Sequence, residues 1–204
     1  MAKINKWVTR REKDPYIARS NVDGYRCRSA YKLLEINQKF HIFKKERRQI
    51  ILDVGCAPGG WLQVLKSHSC SGSTIIGVDL KETKLEGVKI ICGNFLSDEI
   101  RKSLCEASGG SKFDVALSDM ATNSTGDAKI DQLRNFELVD SFIDFALLYL
   151  TQCGHLIAKI MCGEGDKTLL DKTRAHFREV KIYKPNSSYK DSAEKYLVAI
   201  SKIK

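Results

Sequence analysis

Five short apolar runs set the frame of this chain: QIILDV (49–54), TIIGVD (74–79), the stretch 88–92, FDVALSD (113–119) and GHLIAKIM (154–161). Each is too short for a buried helix and lacks the strict alternation of a half-exposed strand. Continuous apolar runs of this length suit strands covered on both faces. Helical patterns separate them. Ser29 is positioned to cap a helix reaching about Gln38, with Ala30, Leu33, Leu34 and Ile36 as its apolar face. Residues 60–67 read as a second helix, and Ser97 caps a third over 98–107. The longest helix covers 130–150. Asp131, Arg134, Glu137, Asp140 and Asp144 mark its wet side, and Leu133, Leu138, Phe142, Phe145 and Leu148 its apolar side. Lys167–Phe177 reads as helical, and strands Glu179–Lys184 and Lys195–Ser201 close the chain. Strands alternating with helices predict an α/β fold: a seven-stranded, mostly parallel, Rossmann-like sheet with helices on both faces. In such sheets ligands bind beyond the carboxyl ends of the strands, so those ends are where chemistry is to be sought.

The first strand runs into Asp53-Val54-Gly55-Cys56-Ala57-Pro58-Gly59-Gly60-Trp61. Glycines permit a tight turn and close approach of a ligand, and a following helix offers free N–H groups. The dinucleotide fingerprint G-x-G-x-x-G is absent, which argues against a nicotinamide dehydrogenase. Asp79 ends the second strand, 20 residues after Gly59. An acidic residue there can accept hydrogen bonds from both hydroxyls of an adenosine ribose. The fourth strand ends at Asp119. Lys159 lies inside the fifth, where a lysine is costly unless paired. Asp119 is its natural partner, either as a structural ion pair or as part of a reactive centre.

Charge narrows the partner. The formal net charge is +9, which suits a polyanion or a lysine-rich wet surface. Residues 1–28 carry eight basic side chains (Lys3, Lys6, Arg10, Arg11, Lys13, Arg19, Arg26, Arg28) against three acidic ones, interleaved with Trp7, Tyr16 and Tyr25. Cations beside aromatics suit RNA, so 1–28 reads as a basic RNA-binding arm and 29–204 as one domain. Lys44, Lys45, Arg47 and Arg48 extend the RNA surface or form a solvated run. Seven cysteines without a C-x-x-C pair and four scattered histidines predict reduced thiols and no metal site. Without a membrane-length apolar run or a signal core, the expectation is a cytoplasmic monomer.

Together these segments resemble the FtsJ/RrmJ family of RNA ribose 2′-O-methyltransferases. The resemblance rests on RCRSAYKLLEI (26–36), LDVGCAPGGW (52–61), LSDMATN (117–123), LIAKIMCGEG (156–165) and KPNSSYKDSAEKYLVA (184–199), with WVTRREKDPY (7–16) resembling bacterial members. It implies S-adenosylmethionine (SAM) as cofactor and a Lys-Asp-Lys-Glu tetrad at Lys32, Asp119, Lys159 and Glu194. It implies cofactor contacts at Gly55, Pro58, Gly59, Gly60, Trp61, Asp79, Asn94 and Asp119. The expected substrate is a uridine of large-subunit ribosomal RNA, within the ribosomal subunit. A tRNA ribose methyltransferase and a non-catalytic SAM- and RNA-binding ribosome assembly factor are the alternatives. Methyltransferases of base or protein nitrogen tend to carry Asn-Pro-Pro-Tyr after strand four, where this chain has Ser118-Asp119-Met120-Ala121. Two departures from the family pattern stand out. Asn94 replaces an aspartate that approaches the adenine, and its amide retains an acceptor while adding a donor. Thr122 replaces a proline in the loop after Asp119. Lys159 is expected to act either as the base for the 2′-hydroxyl or as a cation that stabilises charge on the oxygen.

Overall fold

The computed structural model describes residues 14–122, 124–161, 163 and 165–203. Among the described residues the chain builds helices α1 (Pro15–Val22), α2 (Ala30–Phe40), α3 (Gly60–His68), α4 (Asp98–Ala107), α5 (Ala128–Tyr149) and α6 (Asp166–Arg174). Its strands are β1 (Ile50–Val54), β2 (Thr74–Asp79), β3 (Lys89–Cys92), β4 (Phe113–Ser118), β5 (Leu150–Met161), β6 (Phe177–Tyr183) and β7 (Glu194–Lys202). The seven strands form one sheet in the order β3-β2-β1-β4-β5-β7-β6. Pairings from β3 to β5 are parallel, and β7 runs antiparallel to both β5 and β6.

Burial on both faces explains the apolar runs of β1, β2, β4 and β5, whereas β3, expected to be covered likewise, is an edge strand and only partly buried. Leu52, Val54, Ala116, Leu156, Ala158 and Leu197 join Leu104, Val139, Phe142 and Phe145 in a core beneath α4, α5 and α6. Ile51, Val115, Leu117, Ile157, Tyr196 and Val198 join Leu33, Ile36, Leu62 and Leu65 in a second core beneath α2 and α3. Successive residues of a strand therefore enter opposite cores, as the two-residue period requires. No described helix is long and apolar enough to cross a membrane.

Several local expectations need correction. Ser29 does not cap α2 with its side chain. Its Oγ meets Cys27 Sγ at 3.0 Å, and its carbonyl accepts Trp61 Nε1–H at 2.9 Å. Leu133 and Leu148 are 59% and 66% exposed, while Val139, Ile143 and Ala146 take their places in the core. β5 starts at Leu150, straight off α5, because Cys153 adopts φ 64° and the register with β4 shifts between Phe113 and Val115. This bulge hides a strand start within polar Thr151 and Gln152. Phe177 opens β6 rather than closing a helix. The cap at Ser97 forms as expected, its hydroxyl accepting from Ile100 N–H.

The N-terminal arm is partly absorbed into the domain. Asp14 caps α1, and Tyr16 and Tyr25 pack against Tyr31 at ring separations of 5.3 and 5.7 Å. Arg26 donates to the carbonyls of Pro58 and Lys84 at 2.9 and 2.6 Å. Arg28 is ion-paired with Asp14. Lys3, Lys6, Trp7, Arg10, Arg11 and Lys13 lie outside the described residues.

Candidate active site

The carboxyl ends of β1, β2, β4 and β5 share one edge of the sheet, and antiparallel β7 begins there, with Glu194 paired to Met161. Backbone bonds lock these ends together. Gly55 N–H donates to Val78 O at 2.8 Å, Asp119 N–H to Val54 O at 3.1 Å, and Gly93 N–H to Asp79 O at 2.9 Å. A hollow of about 410 Å³ opens at this edge, within the size range of small-molecule sites. Gly55, Asp79, Asn94 and Asp119 line it, with Leu80, Phe95 and Leu138 as apolar wall.

Gly55 has φ 80°, and a Cβ there would lie 2.9 Å from Met120 N, so a side chain is excluded on two counts. Asp79 accepts from Ala57 N–H and Lys81 N–H, both at 2.9 Å, which fixes its carboxylate while leaving acceptor capacity. Asn94 behaves less freely than its chemistry suggests, since its Oδ1 already accepts Leu96 N–H at 3.0 Å.

Pro58, Gly59, Gly60 and Trp61 are not among the residues lining this hollow. The Ala57–Pro58 peptide is cis. Gly59 (φ 106°) makes room for Arg26, whose Nη1 would stand 2.9 Å from a Cβ. Gly60 heads α3. Trp61 is buried, with its ring 5.8 Å from that of Tyr196. It packs against Tyr196 rather than facing the hollow.

The four tetrad residues converge as two ion pairs. Lys159 Nζ lies 3.1 Å from Asp119 Oδ1 and donates to the Asp119 carbonyl at 2.6 Å. Lys32 Nζ bridges both oxygens of Glu194 at 2.7 and 2.8 Å. Strand register explains the arrangement. Lys159 pairs with Tyr196 across β5 and β7, so Lys159, Tyr196 and Glu194 share the α2-facing side. Burial pushes the Asp119 carboxyl up, but Lys159, Lys32 and the Tyr196 hydroxyl outweigh it and hold the group below the ordinary carboxylate range. Burial, with Asp119 and Glu194 beside it, drives the Tyr196 phenol well above its ordinary value.

Two residues missed by sequence reasoning belong here. Tyr196 is fully buried and donates to Asp119 Oδ1 at 2.8 Å. Its signal was its place two residues beyond Glu194 on one strand face. Asp53 is 0% exposed, and neither of its carboxylate oxygens has a hydrogen-bond partner. Burial first, then Asp119 and Asp79, raise its carboxyl well above the ordinary value. A charged residue inside an apolar strand was as readable at Asp53 as at Lys159. Two carboxylates lining one hollow, Asp79 and Asp119, in a chain of net charge +9, suit a ligand bearing hydroxyls and positive charge. They repel the pyrophosphate of a dinucleotide. SAM, with an adenosine ribose, an ammonium and a sulfonium, fits this donor set.

The sequence profile of FtsJ-like methyltransferases matches residues 25–202. The chain is 40% identical over 202 residues to the ribosomal RNA large subunit methyltransferase E of Rickettsia akari, covering 96% of this chain and 88% of that one. Its identity to the enzyme of the same name from Zymomonas mobilis is 40% over 199 residues, covering 97% and 88%. A solved Plasmodium falciparum chain described as a ribosomal RNA methyltransferase superposes with a TM-score of 0.76 at 33% identity. That match covers 88% of this chain and 99% of the other.

Proposed function

The chain belongs to the FtsJ-like methyltransferase family, and from that premise we propose that it transfers a methyl group from SAM to a ribose 2′-hydroxyl of large-subunit ribosomal RNA. The observation that carries the reaction type is Lys159, a nearly buried amine held at the strand edge by Asp119 beside an acidic hollow. The substrate class rests on the names of relatives that this chain matches over most of their length.

SAM supplies an electrophilic methyl on sulfur, so the residues here need only bind, align and deprotonate. Asp79 accepts from the ribose hydroxyls, and the Asp119 carboxylate at the edge of the hollow offsets the cofactor's positive charge. Asp119 Oδ1 and its carbonyl occupy two of the three hydrogen-bonding directions of Lys159 Nζ, leaving the third for the 2′-oxygen. Once its ammonium has given up a proton to solvent, the Lys159 amine orients that oxygen and takes its proton, and the two Asp119 acceptors stabilise the ammonium so re-formed. Lys32, steadied by Glu194, lies near enough to act on Asp119 and meets the RNA phosphate beside the target nucleotide. Holding the nucleophile in line can supply several kcal/mol of the barrier, on the order of 7–11 at best. The basic residues before Asp14 are the proposed RNA grip, since Arg26 and Arg28 are occupied within the domain.

The test is transfer of labelled methyl to large ribosomal subunits, free ribosomal RNA and tRNA, all taken from cells lacking this protein. Label recovered as 2′-O-methyluridine from the ribosomal subunit, and lost with Lys159→Ala while S-adenosylhomocysteine still binds, is the expected result. Label in tRNA alone replaces the substrate. No label in any acceptor rejects the reading.

A further inference from the structure

The ten residues 184–193 join β6 to β7 and end at Glu194, yet their conformation is dictated from the other end of the molecule. The Glu35 carboxylate, on α2, accepts Asn186 N–H at 2.6 Å and Ser187 N–H at 2.9 Å. Ser188, the next residue, is buried and donates its hydroxyl to Glu194 Oε1 at 2.9 Å. Glu194 in turn bridges Lys32. Lys32 and Glu35 are three apart on α2 and share a flank, so one helix grips the loop at one point and receives its carboxylate at another. The circuit is closed: α2, loop, Ser188, Glu194 and back to α2.

A second tether keeps the loop docked independently. Arg28 is ion-paired with Asp14, donates to the Ser187 carbonyl and lies 3.7 Å over the Tyr189 ring. Lys184 Nζ also donates to the carbonyls of Lys190 and Ser192 at 3.0 and 2.7 Å. Removing the Glu35 carboxylate therefore loosens the aim of Ser188 without releasing the segment.

We propose that Glu35 is a positioning residue for methyl transfer: its carboxylate grips the 186–187 backbone, seats Ser188 on Glu194, and so holds Glu194 against Lys32. The inference rests on the reaction proposed above. Glu35 touches neither the hollow nor the tetrad lysines directly, and its effect passes through Glu194.

The experiment is a double-mutant cycle in the full chain, Glu35→Ala against Glu194→Ala, read as single-turnover methyl transfer at saturating RNA and SAM. Glu35→Ala is expected to slow transfer about tenfold, since small misplacements cost rate steeply, with S-adenosylhomocysteine affinity within about twofold. Ser188→Ala should reproduce that loss, and Glu35→Gln, which keeps one acceptor, should fall between. In the Glu194→Ala background, which leaves no acceptor for Ser188 or Lys32, Glu35→Ala should change the rate by less than about twofold, because the link it serves is already broken. An equal fold-loss in both backgrounds, an unchanged rate, or a loss confined to RNA half-saturation overturns the proposal. If Glu35→Ala does not fold, Ser188→Ala and Glu35→Gln carry the same cycle. Wild-type protein that labels no RNA rejects the functional reading itself, whereas active wild type with an additive cycle rejects only the role of Glu35.

Discussion

Replacing Lys159 by methionine keeps most of the side-chain volume and removes the charge. Asp119 then keeps Tyr196 as its side-chain hydrogen-bond donor, with Lys32 the remaining cation acting on it. The two partners lie 3.1 Å apart, with side chains only 9% and 17% exposed. Coulomb attraction at that distance is about 5 kcal/mol at an effective dielectric of 20. Breaking a buried pair by removing one partner costs about 3–5 kcal/mol, so the two estimates agree. For a domain of this size the melting temperature should fall by roughly 10 °C. Asp119→Asn added to Lys159→Met removes the stranded charge, and the double variant should regain at least about 1.5 kcal/mol over Lys159→Met alone.

The pH dependence gives a second handle on the same pair. In the wild type the Asp119 carboxyl titrates below its ordinary range, because Lys159, Lys32 and Tyr196 outweigh burial. A depressed folded value contributes stability above the unfolded value, near 3.9, and loses it as pH falls through the folded value. Removing Lys159 takes away the strongest of the lowering influences, so the carboxyl should titrate higher than in the wild type and the variant should relieve part of its penalty by taking up a proton. The stability gap between wild type and Lys159→Met should be widest near neutral pH and narrow toward about pH 4. Urea unfolding at several pH values, followed by circular dichroism, measures both effects. A variant as stable as wild type, a pH-independent gap, or a double variant as unstable as the sum of its parts refutes the pairing argument.

Other outcomes follow from the same contacts. Tyr196→Phe deletes the hydroxyl bonded to Asp119 and should cost about 1–2 kcal/mol in urea unfolding. It should also slow transfer several-fold. Gly55→Ala forces a Cβ against Met120 N at φ 80°, and should destabilise by about 1–3 kcal/mol. Because Met120 also lines the hollow, calorimetry should show weakened S-adenosylhomocysteine binding. His155 is held down to about 4 by burial and by Lys44 and Arg47, and its Nδ1 accepts Ser201 N–H at 3.2 Å. Its folded value lies below the unfolded one near 6.5, so stability is full above about 6.5 and falls as pH drops toward 4, by up to about 3 kcal/mol. His155→Gln should flatten that acid limb, and unfolding midpoints at pH 7 and pH 5 decide it.

The sheet was legible because its central strands are buried on both faces, which leaves an apolar signature that helices of the same composition cannot mimic at that length. What escaped was set by contacts between distant residues. Leu133 reads as core from its period, but at the start of α5 it is 59% exposed. Likewise, the start of β5 is masked by Thr151 and Gln152 at a bulge, where polar residues carry no strand period. The site divides along the same line. Lys159 betrays itself in one dimension, because a charged residue inside an apolar strand is costly unless compensated, and Asp53 carries the same signal although burial drives it toward the neutral acid rather than toward a partner. Gly59 and Trp61 announce only that something approaches closely. In the fold Arg26 approaches Gly59, and Tyr196 and the Ser29 carbonyl approach Trp61. Glu35 gave no local signal at all, since a glutamate three residues after a lysine is ordinary helix surface until a loop 150 residues later folds onto it. A buried charge thus marks a candidate reacting group from sequence, whereas the residues proposed to aim it become visible only when the chain's two ends meet.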